Sequence, residues 1–156
     1  MGAKKEKTNV MRILDQQNIT YRHFFYDDTI VNALDVATLL EKNPAEVFKT
    51  LVTVGRSRTY YVFMMPAKKE LDFKKAALAA GEKSLEMIPK KDLLPLTGYV
   101  HGGCSPIGMK KTYKTFIDKS AETIDILSFS GGRVGSQVQM PLQELKKVLP
   151  VALAEL

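Results

Sequence analysis

The spacing of apolar positions changes several times along this chain, and each change marks an element. Val10, Ile13 and Leu14 recur at helical spacing, which predicts a helix from Asn9, as its N-cap, to Asn18. Residues 21–26 are rich in aromatics and read as a strand, closed by the turn chemistry of Asp27 and Asp28. Val36, Leu39 and Leu40 return to the helical period, with Asn32 or Asp35 near the start. That helix must stop before Asn43-Pro44, because the residue preceding proline avoids helical backbone. A short helical turn over 44–46 leads to two β-branched and apolar runs, 47–54 and 59–65. They flank turn residues 55–58 and predict a hairpin. Asp72 and Gly81 bracket a third helix through 74–80. A short strand over 84–87 and a brief helix over 90–94, ended by Pro95, come next. Strands follow at 113–118, 123–130 and 138–140, and Pro141 opens a closing helix that runs through Val148. Strands and helices intermix without a regular βαβ repeat, so the fold class is α+β with a mixed sheet or partial barrel at its centre.

Length and charge narrow the class. The 156 residues make one domain, residues 1–156, with 1–8 as a solvated basic lead. Lys plus Arg number 23 against 17 acidic residues, a formal charge of +6, which favours an anionic partner such as nucleic acid, though weakly. The single cysteine, Cys104, excludes an internal disulfide and fits a reducing compartment. Lys4, Lys5 and Lys7 precede no apolar run, so they do not open a signal peptide. No stretch approaches the ~18 apolar residues of a membrane span. The expectation is a cytoplasmic protein with no membrane partner.

Candidate chemistry gathers at a few places. Residues 99–108 include Gly102, Gly103, Ser105, Pro106 and Gly108. A loop of that composition exposes backbone N–H groups that can cradle a carbonyl, phosphate or ribose oxygen; a tight turn between strands is the plain alternative. Lys49 interrupts an otherwise buried-strand pattern. It either snorkels at a strand start or projects a cation into a cleft. Cys104 reads as a thiol nucleophile or, with better support, as a small apolar filler. His101 borders the same loop, and His23 is remote from it in sequence. One cysteine and two histidines without ligand spacing argue against a metal site. Neither the 102–108 loop nor Gly131-Gly132-Arg133-Val134-Gly135 matches a phosphate-binding or dinucleotide-binding fingerprint, so no nucleotide cofactor is expected. The lysine pairs 68–69, 74–75, 90–91 and 110–111 are either phosphate contacts or solvated faces. Tyr60, Tyr61 and Phe63 fit strand packing better than base stacking.

Three stretches taken together carry a resemblance: Val47-Phe48-Lys49-Thr50-Leu51, the run from Thr97 to Lys111, and Ser130-Gly131-Gly132-Arg133, with Leu71-Asp72-Phe73-Lys74-Lys75 between the first two. In this order and spacing the chain resembles the YbaK/EbsC family of aminoacyl-tRNA deacylases over residues 9–150. The resemblance implies a mixed sheet curled into a partial barrel with flanking helices, related to the editing domain of bacterial prolyl-tRNA synthetases. It implies hydrolysis in trans of mischarged aminoacyl-tRNA, with cysteine on tRNA(Pro) foremost and alanine as an alternative. A non-catalytic module that binds tRNA or a synthetase is the competing class. The family's required lysine falls on Lys49. Its Gly-x-x-x-Pro loop falls on Gly102 and Pro106, with Gly103, Ser105 and Gly108 in the same segment. Its glycine-rich third motif falls on Ser130, Gly131 and Gly132. Tyr26 and Thr50 fall on pocket positions. For cysteinyl substrates the resemblance implies attack by the substrate's own thiol, so no protein nucleophile, cofactor or metal is required. The implied partners are the tRNA acceptor end and prolyl-tRNA synthetase. Residues 27–32 are shorter than in the family and lack the aromatic it places there.

Overall fold

A computed structural model describes residues 6–156; most of the basic lead at 1–8 lies outside the described residues. Helix α1, Asn9–Gln16, is capped by Thr8 rather than Asn9: the Thr8 hydroxyl accepts the Met11 N–H at 3.2 Å. From extended backbone the Thr8 hydroxyl reaches forward to the N–H three residues on, and it also donates to the Gly131 carbonyl. Strand β1 is Arg22–Phe25 and helix α2 is Ala33–Leu39. Of the two candidate caps Asn32 serves, its side chain accepting the Leu34 N–H at 2.8 Å. Residues 44–46 form a turn and not a helix. The hairpin is present as β2, Phe48–Gly55, and β3, Tyr60–Pro66, in antiparallel register with Val52 opposite Val62.

Asp72 caps α3, Phe73–Ala80, accepting from Lys74 N and Lys75 N, and Gly81 ends it at φ 73°. Strand β4 is Leu85–Met87. Helix α4, Lys90–Thr97, runs past the expected stop and carries Pro95 within it. The missing N–H there falls on an exposed turn, and Gly98 at φ 87° ends the helix instead. Strand β5 is Lys114–Asp118. The long strand expected from 123 is shortened, because Asp118 accepts Ser120 N and closes Lys119–Thr123 into a 3-10 turn. Strands β6, Leu127–Ser130, and β7, Ser136–Met140, follow; β7 starts two residues before the expected span. Helix α5 is Leu142–Val148, with Pro141 at its cap position. A last strand, β8, Val151–Ala154, was not expected from the sequence.

The strands form two sheets. One has the order β4-β2-β3-β5-β8 and is mixed: β4-β2-β3 is antiparallel, and β5 and β8 add in parallel. The other, β1-β7-β6, is antiparallel. A single parallel bridge between Val47 and Ser128 joins them at a corner. The expected α+β fold with a mixed, partly curled sheet is present, and the two sheets meet at this corner without closing into a barrel. Alternation along the strands sorts their side chains into two cores. Val62, Met64 and Ile117 face the larger core, shared with Val10, Met11 and Leu14 of α1, Phe129 and Val138, and Leu145 of α5. Tyr61, Phe63 and Phe116 face the smaller core under α3, with Ala76 and Ala77. No helix among the described residues is long and apolar enough to cross a membrane.

Candidate functional site

The corner between the sheets leaves a gap. Along its outer edge β2 is covered by β4 at Thr53–Gly55 and touched by β6 through Val47. Between these, residues 49–51 have strand partners only on the β3 side. The gap opens into a cleft of about 610 Å³, within the range of small-molecule sites. Lys49, Thr50, Tyr26, Gly102 and Ser130 all line it, so the cleft collects residues from four separate sequence stretches.

Lys49 is half-buried, and of the two placements read from the sequence the structure shows the cleft. Its Nζ makes only a long 3.5 Å contact to the Ala67 carbonyl and no ion pair among the described residues. Burial lowers its pKa, and the charge of Glu70 opposes that shift. The neighbouring Thr50 hydroxyl is buried and has no hydrogen-bond partner among the described residues. An orphaned hydroxyl on a cleft wall is a group that a ligand can pair with. The Tyr26 hydroxyl bonds to the Gln137 side chain, and burial raises its pKa. Gln137 in turn accepts from the Ser128 hydroxyl at 3.0 Å.

The glycine segments shape the cleft by close backbone approach. Gly102 lies on the cleft wall at φ 86°, and a Cβ there would sit 2.2 Å from Val31 Cγ1. Gly103 does not line the cleft; a Cβ there would sit 2.8 Å from the Val134 backbone nitrogen, and its own N–H is spent on the Val100 carbonyl at 3.0 Å. Ser105 is fully buried, and its Oγ accepts the Ile107 N–H at 3.3 Å. Pro106 and Gly108 line a smaller cavity of about 200 Å³ instead. Gly131 packs against Ser136, and Gly132 against Val10 of α1. Ser130 Oγ accepts the Gly132 N–H at 3.1 Å. These glycines form the frame rather than the wall. Tyr99 donates to the Ile107 carbonyl and so pins the 99–108 loop across its span.

Cys104 and His101 also line the cleft. Burial pushes the Cys104 thiol up to about 12, so essentially no thiolate exists at neutral pH. Among the described residues no group of three potential ligands could hold a metal ion. Glu70, Gln137 and Val31 are wall residues that sequence reasoning missed. Only Gln137 left a trace there, as a polar residue alternating with Val138 and Met140 on a strand; Glu70 and Val31 sit in segments with no periodicity.

The chain was compared with known proteins. The family model for the aminoacyl-tRNA editing domain matches residues 27–148. A protein of Enterococcus faecalis (strain ATCC 700802 / V583), named as a putative Cys-tRNA(Pro)/Cys-tRNA(Cys) deacylase, EbsC, is 40% identical over 144 residues, covering 90% of this chain and 88% of that protein. Two crystal structures share the fold. One, of a hypothetical protein, has a TM-score of 0.86 at 20% identity and covers 94% of this chain and 97% of its own. The other, of a putative trans-editing enzyme for prolyl tRNA synthetase, has a TM-score of 0.80 at 20% identity and covers 97% and 99%.

Proposed function

The chain belongs to the aminoacyl-tRNA editing domain family, and from that premise we propose that it is a trans-editing deacylase that removes cysteine from Cys-tRNA(Pro). The observation that carries this reading is a half-buried Lys49 on the cleft wall, outside every ion pair among the described residues, together with a Cys104 whose thiol burial keeps protonated. An aminoacyl ester is already activated, so the site needs to position it and stabilise charge more than to attack it. The Lys49 ammonium anchors the phosphate of the terminal adenosine. The Thr50 hydroxyl and the main chain at Gly102 orient the aminoacyl group.

The substrate's own thiolate attacks its ester carbonyl. A C–S bond forms, the bond from the carbonyl carbon to the ribose oxygen breaks, and that oxygen takes a proton as the tRNA leaves. The product is a four-membered thiolactone, which water opens to free cysteine. The name of the 40% identical relative supports the substrate, and the basic balance of the chain suits a tRNA ligand. Prolyl-tRNA synthetase is the partner this reading implies.

The test is deacylation of Cys-tRNA(Pro) and Ala-tRNA(Pro) by wild type, Lys49→Ala and Cys104→Ala. Cleavage of the cysteinyl substrate that is lost in Lys49→Ala and kept in Cys104→Ala is the expected result. Preference for the alanyl ester, which has no thiol, overturns the cyclisation step. Cleavage of neither substrate leaves a tRNA-binding module.

A further inference from the structure

The cleft has a charge layout that ester cleavage by itself does not require. Its cations are Lys49 on β2, Lys68 and Lys69 just after β3, and Lys90 at the start of α4. Lys69 is engaged by Asp118 at 3.6 Å and by the Leu156 carbonyl at 3.3 Å. Lys49, Lys68 and Lys90 make no ion pair among the described residues. Against them stands one carboxylate among the described residues of the wall, Glu70. Glu70 is exposed to solvent at the cleft and also stays outside every ion pair among the described residues. Lys49 feels its charge.

We propose that Glu70 is a specificity-determining residue that reads the free α-ammonium of the aminoacyl group, so that the cleft accepts amino-acid esters with an unblocked amine and rejects N-acylated ones, peptidyl esters included. This rests on the deacylase reading above. The argument is one of charge matching. The substrate's end carries two charges of opposite sign, an ammonium beside the ester and a phosphate one nucleoside away. A cleft lined by lysines draws in the phosphate but repels the ammonium. One carboxylate removes that repulsion and accepts a charge-assisted hydrogen bond. Among the described residues neither Lys49 nor Glu70 has an ion-pair partner. The substrate brings one to each, so that neither charge is left buried and unpaired when the cleft fills. Acylating the amine removes the positive charge and adds bulk where Glu70 stands. A neutral alcohol or amide at that point can still donate a hydrogen bond, but it brings no charge to offset the desolvation of the carboxylate.

The experiment uses a non-hydrolysable probe, 3′-cysteinylamino-3′-deoxyadenosine 5′-phosphate, and its N-acetyl form, titrated calorimetrically into the full chain and its Glu70→Gln variant. Glutamine keeps the shape of an exposed side chain, and matching circular-dichroism melts check that the fold is intact. Wild type should bind the free-amine probe about tenfold more tightly than the N-acetyl probe. Glu70→Gln should erase that preference by weakening the free-amine probe alone. Equal binding of both probes by wild type, or a preference that survives in Glu70→Gln, overturns the assignment. Deacylation of Cys-tRNA(Pro) measured in parallel separates the two readings. A wild type that cleaves it without amine preference refutes only the role of Glu70, whereas one that neither cleaves it nor binds either probe refutes both.

Discussion

Replacing Thr50 by valine should make the protein more stable and less active. The Thr50 hydroxyl is buried on the cleft wall with no hydrogen-bond partner among the described residues. Leaving such a group unpaired costs about 1–3 kcal/mol relative to a satisfied one. Valine has the same branched shape and the same strand preference, so β2 and its register opposite Met64 are undisturbed. The methyl that replaces the hydroxyl needs no partner. Taking the lower part of that range, about 1–2 kcal/mol is recovered. For a chain of this size each kcal/mol moves Tm by about 2–4 °C, so a rise of roughly 2–8 °C is expected in a circular-dichroism melt. On the proposed function the same substitution also removes a hydrogen bond to substrate, and a lost hydrogen bond of about 1.4 kcal/mol lowers kcat/KM about tenfold. A fall in Tm would mean that the hydroxyl is satisfied in the free protein. An unchanged kcat/KM would mean that it does not face the substrate. Either result refutes the reasoning.

Other substitutions test the frame around the cleft. Gly103→Ala places a Cβ 2.8 Å from the Val134 backbone nitrogen and 3.1 Å from the Arg133 carbonyl carbon; since backbone cannot rotate away, a loss of about 1–3 kcal/mol is expected in urea unfolding. Asp118 is nearly inaccessible. Burial pushes its carboxyl up, but hydrogen bonds from Ser120 and Leu156 and the charge of Lys69 outweigh that and hold it below the ordinary value of 3.8. Its contribution to stability is therefore present above pH 3.8 and is lost as pH falls through the lowered folded pKa; Asp118→Asn should flatten the acid limb of the stability curve. Cys104, with its thiol pushed to about 12, should resist iodoacetamide at pH 8 in the native protein and react on unfolding, as read by mass spectrometry. Leu14→Ala in α1, whose side chain is fully buried, should cost about 2–5 kcal/mol.

How much was legible in the sequence depended on how local each cause is. The hairpin from Phe48 to Pro66, the Asp72 cap and the Gly81 stop follow from alternation, side-chain reach and left-handed backbone, all settled within a few residues. Lys49 stands out because a charge in a buried-strand pattern has to be explained, and the three motif blocks point to the family through their order and spacing alone. The errors were local competitions that a distant contact decided. Thr8 displaced Asn9 as a cap where its hydroxyl also donates to the Gly131 carbonyl, more than a hundred residues away. Asp118 closed a 3-10 turn where strand propensity alone suggested a longer β6. Strand β8 exists because β5 offers a parallel edge for Val151–Ala154, and no four-residue apolar run announces such a partner. The same holds for the cleft. The chain determined by itself which residues are charged, which glycines can turn, and which strands alternate. Only the corner between two sheets decided that residues 49–51 would have an open edge, that Glu70 would share a wall with Lys49, and that Gly103 and Gly131 would serve packing while Gly102 and Ser130 face the cleft. A side chain's type is written in one position, but what it faces depends on backbone brought alongside from elsewhere in the chain.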